Sequence, residues 1–119
     1  MSDDLNFDLI LQELPVTLTN ADGVAEQYVL RELTGRGRDQ YLNNLTGRLV
    51  TDAKGNSRMK DFTGLQSNLV GRCLFRKDGQ AVTEAELVQW PARVLSKLFD
   101  KAKELSGLDD DAEEEAGNE

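Results

Sequence analysis

Two short runs rich in β-branched and aromatic residues, "PVTLT" at 15–19 and "EQYVLREL" at 26–33, flank the tetrapeptide "NADG". A turn centred on Asp22-Gly23 between such runs predicts a β-hairpin over about 15–33. In the second run Tyr28 and Leu30 fall on one face, and Val29, Arg31 and Leu33 on the other. The preceding "LNFDLILQEL" at 5–14 fits either an extra strand or a short helix.

Beyond residue 33 the period changes. Thr34 is suited to cap a helix, and Tyr41, Leu42, Leu45, Leu49 and Val50 recur at three- and four-residue steps. The spacing predicts a helix over about 35–50. The polar stretch "TDAKGNSRMKD" breaks it, with Gly55-Asn56 as a turn. Asp61 is placed to cap a second helix, about 61–77, whose stripe is Phe62, Leu65, Leu69, Val70, Cys73 and Leu74; Asp78-Gly79 ends it.

Thr83 with Glu86 three residues on is a capping box for a short helix over 84–89. Pro91 suits the first turn of another, where its missing N–H costs nothing. Val94, Leu95, Leu98, Phe99, Ala102 and Leu105 make the apolar face of that last helix. Arg93, Lys97 and Lys101 line up beside it, and Gly107 is a natural stop. Helical signals thus run over about 83–106. The fold class expected is α+β, mainly α-helical: an N-terminal β-hairpin, three to four helices, and an acidic tail.

The chain has 119 residues, enough for one domain over 1–108, but only 39% are hydrophobic and 6% aromatic. Such a core is thin, or a partner completes it. No apolar run approaches the ~18 residues of a membrane span. The acidic opening "MSDDLNFD" lacks a positive region ahead of an apolar stretch, so no secretory leader is expected. A lone cysteine, Cys73, suits a reducing cytoplasm.

Charge changes the picture more. The total of −8 is unevenly spread: residues 1–30 carry six acids and no base, and residues 31–77 carry ten bases against four acids. Residues 78–108 are nearly neutral, and 109–119 hold seven acids and no base. The last segment, "DDDAEEEAGNE", repels itself and is expected to be disordered. The alternation suggests contacts within the chain, the tail on the basic middle, or between copies in a homo-oligomer.

Candidate chemistry is sparse. There is no histidine, the commonest general base and metal ligand at neutral pH. Cys73 on an apolar stripe reads as a buried thiol. "DAKGNSRMKD" offers Asp52, Asn56 and Asp61 without the alternating ligands and closing glutamate of a calcium loop. No zinc spacing exists. In "RELTGRGRDQY" the pair Gly35 and Gly37 follows a strand and opens a helix, as in a dinucleotide turn. The third glycine is missing and the strand belongs to a hairpin, so the stretch reads as a strand-to-helix corner with Arg36 and Arg38 solvated. Neither enzyme, cofactor nor metal is expected. The basic middle leaves nucleic acid as a rival partner, against which stand the acidic total and the scarcity of aromatics.

The order of the pieces carries a resemblance. "YVLRELTGRGRDQYL", two helices around "DAKGN", then "DGQAVTEAELVQWPARVLSKLFDKAKELSGL" resembles the tail assembly chaperones of long-tailed bacteriophages and prophages. The matching elements are Arg31 to Gly35, Thr83 to Trp90, and Pro91 to Leu108, within about 14–108. The resemblance implies a non-enzymatic protein of the host cell cytoplasm, absent from the finished virion. It would bind the tape measure protein, keep it soluble, and help tail tube protein assemble around it. Arg36, Arg38, Arg93, Lys97 and Lys101 are the expected partner-binding residues, and Trp90 is read as a staple of the short helix. The alternatives are a nucleic-acid-binding or regulatory phage protein using 31–77, and a structural head–tail component.

Overall fold

A computed structural model describes residues 5–108. Its fold is α+β. Strand β1 (Glu13–Thr19) pairs antiparallel with β2 (Ala25–Arg31), and helix α1 (Gly35–Thr46) follows. A small hairpin, β3 (Leu49–Thr51) and β4 (Ser57–Met59), leads to α2 (Leu65–Cys73) and β5 (Leu74–Arg76). The chain closes with α3 (Glu84–Leu87) and α4 (Ala92–Leu105). β5 pairs antiparallel with β2, which gives a three-stranded sheet of order β1-β2-β5.

The alternation in β2 holds: Tyr28 and Leu30 are buried while Val29 and Arg31 are half-buried. Leu30 pairs across to Leu74, and α2 and α4 cover that face. Leu69, Val70, Cys73, Val82, Leu87, Leu98, Phe99 and Ala102 complete the core. Gly71 lets α3 approach α2, since a Cβ there would lie 3.1 Å from Glu84 Cγ. Trp90 meets Tyr28 edge-on with ring centroids 5.9 Å apart, the staple read from the sequence.

The caps follow the sequence in part. The Thr34 hydroxyl accepts from Gly37 N–H and the Thr83 hydroxyl from Glu86 N–H. The Glu86 carboxylate pairs with Arg76. Gly107, at φ +71°, ends α4 in a Schellman motif: Leu108 N–H reaches the Lys103 carbonyl and Gly107 N–H the Glu104 carbonyl. Leu108 is buried behind it.

Several boundaries differ from expectation. The helix expected over 35–50 stops at Thr46, because Gly47 and Arg48 turn the chain and Leu49 and Val50 enter β3. The helix expected over 61–77 begins only at Leu65. Asp61 Oδ1 accepts from Thr63 N–H in a local turn, and Gly64 at φ +74° precedes the helix without a side-chain cap. At its other end, β2 offers an open edge and Leu74–Arg76 join the sheet as a strand. Asp78-Gly79 then reverses the chain after β5 rather than ending a helix. Over 83–106 the two expected helices are present as α3 and α4, separated at Pro91, and only the end of α3 differs, at Leu87 rather than 89. Residues 5–12 form neither helix nor strand, so the extra element ends as a lengthened β1. The acidic tail lies outside the described residues.

Candidate interaction surfaces

Three features expose chemistry at the surface. The first is the strand-to-helix corner. Leu33, Thr34 and Gly37 form one wall of a groove, with Arg31, Arg36, Arg72 and Phe75 around it. The Arg31 guanidinium lies 4.7 Å over the Phe75 ring and reaches Glu13 at 2.8 Å. Arg72 donates to Gln40 Oε1 at 2.6 Å and Asn68 Oδ1 at 3.4 Å, both neutral acceptors. Glu32 also lines the groove, but its carboxylate takes the Gln12 N–H at 2.7 Å. No acid stands in the first turn of α1, where Arg36 and Arg38 oppose the helix dipole.

The second is a groove between α2 and the α3–α4 segment, lined by the apolar Phe62, Leu65, Val88 and Leu95 together with Gln66 and Ser67. Phe62 is 69% exposed and Val88 53%. Phe62 reaches the surface because the Asp61 turn delays α2 and takes it off the buried stripe. Both grooves measure about 280 Å³, just below the pocket range for drug-sized ligands and right for a few side chains of a peptide. The third is the segment before β1: Leu5, Phe7, Leu9 and Ile10 are all more than three-quarters exposed.

Of the expected partner-binding residues, Arg36 lines the corner groove; Arg38 is exposed just beyond it. Arg93, Lys97 and Lys101 are exposed along α4 and do not line that groove. Lys101 reaches Glu104 at 3.3 Å. Arg31, Arg72, Phe62 and Val88 escaped sequence reasoning. The alternation placing Arg31 beside Val29 hinted at its outward face; nothing local in the sequence places Arg72 opposite Gln40.

Cys73 is buried, and burial pushes its thiol up to about 11, far from a nucleophile's range. Among the described residues no group of histidine, cysteine or acidic side chains is arranged to hold a metal ion. No described helix is long and apolar enough to cross a membrane.

With this geometry the chain is similar to a solved structure, that of the bacteriophage HK97 tail assembly chaperone. The TM-score is 0.53 at 20% identity, over 80% of this chain and 85% of that one. The likeness is therefore one of fold. No protein-family model and no curated protein sequence matches the chain.

Proposed function

We propose that this protein is a tail assembly chaperone of a long-tailed phage or prophage. It binds the tape measure protein in the host cell cytoplasm, keeps it soluble while tail tube protein assembles, and is absent from the virion. The observation that carries this reading is the fold shared with the HK97 chaperone. The ordered phrases at Arg31–Gly35, Thr83–Trp90 and Pro91–Leu108 support it. The chemistry is compatible: an amphipathic client helix would lay its apolar face in the Phe62–Val88 groove. Arg36 and Arg38 at the strand-to-helix corner and Arg93, Lys97 and Lys101 along α4 are exposed cations that steer acidic client segments.

Co-expression with a tape measure protein from the same genome tests this. The chaperone should hold the client in the soluble fraction, and Phe62→Asp with Val88→Asp should release it to the pellet while the variant itself stays folded. A client equally insoluble with and without the protein would overturn the reading. Detection of the protein in purified mature particles would assign it to the tail structure instead.

A further inference from the structure

The corner groove collects positive charge without collecting carboxylates to match. Arg36 enters none of the ion pairs among the described residues, and Arg72 is held only by the neutral oxygens of Gln40 and Asn68. Only Arg31 has an acid, Glu13, on its guanidinium. The end of α4 is fastened to the same wall: the Ser106 hydroxyl accepts from the Leu33 N–H at 3.0 Å, and Leu33 lines the groove. The chain leaves the described body at Leu108, two residues later, and the next eleven residues hold seven acids and no base. Extended chain covers about 3.3 Å per residue, so the carboxylates that begin at Asp109 start within a few residues of the groove's rim.

We propose that the acidic segment 109–119 of this chain docks in the groove formed by Arg31, Arg36, Arg72 and Phe75. Its carboxylates pair with Arg36 and Arg72, the two cations that lack an acid. Tethering makes the contact intramolecular, so weak individual pairs suffice, at an effective concentration of order millimolar for so short a connection. The inference does not depend on the chaperone role, because it concerns only this chain's own charges and where they emerge.

A spin label at Gly117→Cys tests it in the full-length protein. Cys73, buried and with its thiol pushed up to about 11, stays unlabelled. Amide signals from Gly35 to Gln40 and from Arg72 to Phe75 should weaken several-fold. The weakening should vanish with Arg36→Ala, an exposed site whose loss leaves the fold intact. It should vanish also in about 1 M salt, where the screening length falls to about 3 Å. Weakening centred instead on Lys54–Lys60 or on Arg93–Lys101, or absent everywhere, overturns the proposal. So does weakening seen only when labelled protein is mixed with an unlabelled, isotope-enriched copy, since the segment would then bind a second molecule.

Discussion

Among the described residues, the β1–β2 and β3–β4 hairpins have turns that are nearly the same object and strands that are not. In the first, Asn20 Oδ1 accepts from the Asp22 and Val24 amides and Gly23 stands at φ +83°. In the second, Asp52 Oδ1 accepts from the Lys54 and Asn56 amides and Gly55 stands at φ +84°. Both reversals close with the same backbone pair, Asn20 with Val24 and Asp52 with Asn56. Yet the first carries strands of seven residues and the second strands of three. Turn chemistry reverses the chain in both; burial decides how far the strands run. β2 lies at the centre of a sheet with Leu30 fully buried, whereas β3 and β4 pair only with each other and stay outside the core cluster.

The largest effect should separate the two at their apolar residues. Leu30→Ala removes a fully buried side chain from the central strand and should cost about 2–5 kcal/mol in denaturant unfolding. Val50→Ala, in a half-buried position of the small hairpin, should cost about 1 kcal/mol or less. Equal losses at the two sites would mean that β3–β4 belongs to the core after all.

The same contrast explains what the sequence disclosed. Period-two alternation in "EQYVLREL" exists because one face is buried, so the first hairpin was legible. A three-residue strand has no room for a period, and Leu49 and Val50 happened to extend the Tyr41–Leu45 helical stripe. Leu74 likewise continued the α2 stripe, although the open edge of β2, distant in sequence, claims it as a strand. The Gly107 stop and the Thr34 and Thr83 caps were legible because each is settled within five residues. The corner groove was half visible. Arg36 stood out, but its company with Arg72 depends on how α1 lies against α2.

A two-stranded hairpin alone is marginal in water, so the second one needs an anchor. Arg48 supplies it. Its side chain is 15% exposed, its Nε donates to Asn44 Oδ1 at 2.8 Å, and its Nη1 donates to the carbonyls of Thr63 and Asp61. The end of α1, both feet of the hairpin and the approach to α2 thus meet on one guanidinium. Arg48→Ala leaves those carbonyls without their donor and should cost about 1–3 kcal/mol. Arg48→Lys, with a point charge instead of a fork, should recover only part of it. Full recovery by lysine would show that charge alone, not the fork, holds the hairpin.

The glycines sharpen the comparison at smaller scale. An alanine forced into the left-handed region costs about 1–2 kcal/mol, and neither Gly23 nor Gly55 has any neighbour that a Cβ would strike. The local cost of Gly23→Ala and Gly55→Ala should therefore match. Its readout should not. Gly23→Ala should lower global stability, since its strands unfold with the core. Gly55→Ala should leave the global midpoint nearly unchanged and instead speed hydrogen exchange at the Asp52 amide, which bonds the Asn56 carbonyl. A matching drop in global stability from both would join the hairpins into one cooperative unit.

The smallest effect is a proton at the foot of the second hairpin. The Asp61 carboxylate accepts the Thr63 N–H, chiefly for that reason holding its carboxyl below the usual aspartate range, with Arg48 at 4.0 Å adding to the shift. A carboxyl whose folded value is depressed contributes stability above the unfolded value, near 3.9, and loses it as the pH falls through the folded value. The hairpin should therefore loosen in acid below about pH 4 before the core does, which hydrogen exchange or the carboxyl carbon shift of Asp61 would follow. Asp61→Asn keeps an oxygen for the Thr63 amide and removes only the charge. It should flatten the acid dependence at the hairpin while leaving the turn formed. A titration midpoint for Asp61 at or above the ordinary aspartate value would remove the turn as the cause. It would leave the Arg48 hydrogen bonds to the Thr63 and Asp61 carbonyls as the hold on this foot of the hairpin, and no proton between neutral pH and the acid range can switch those.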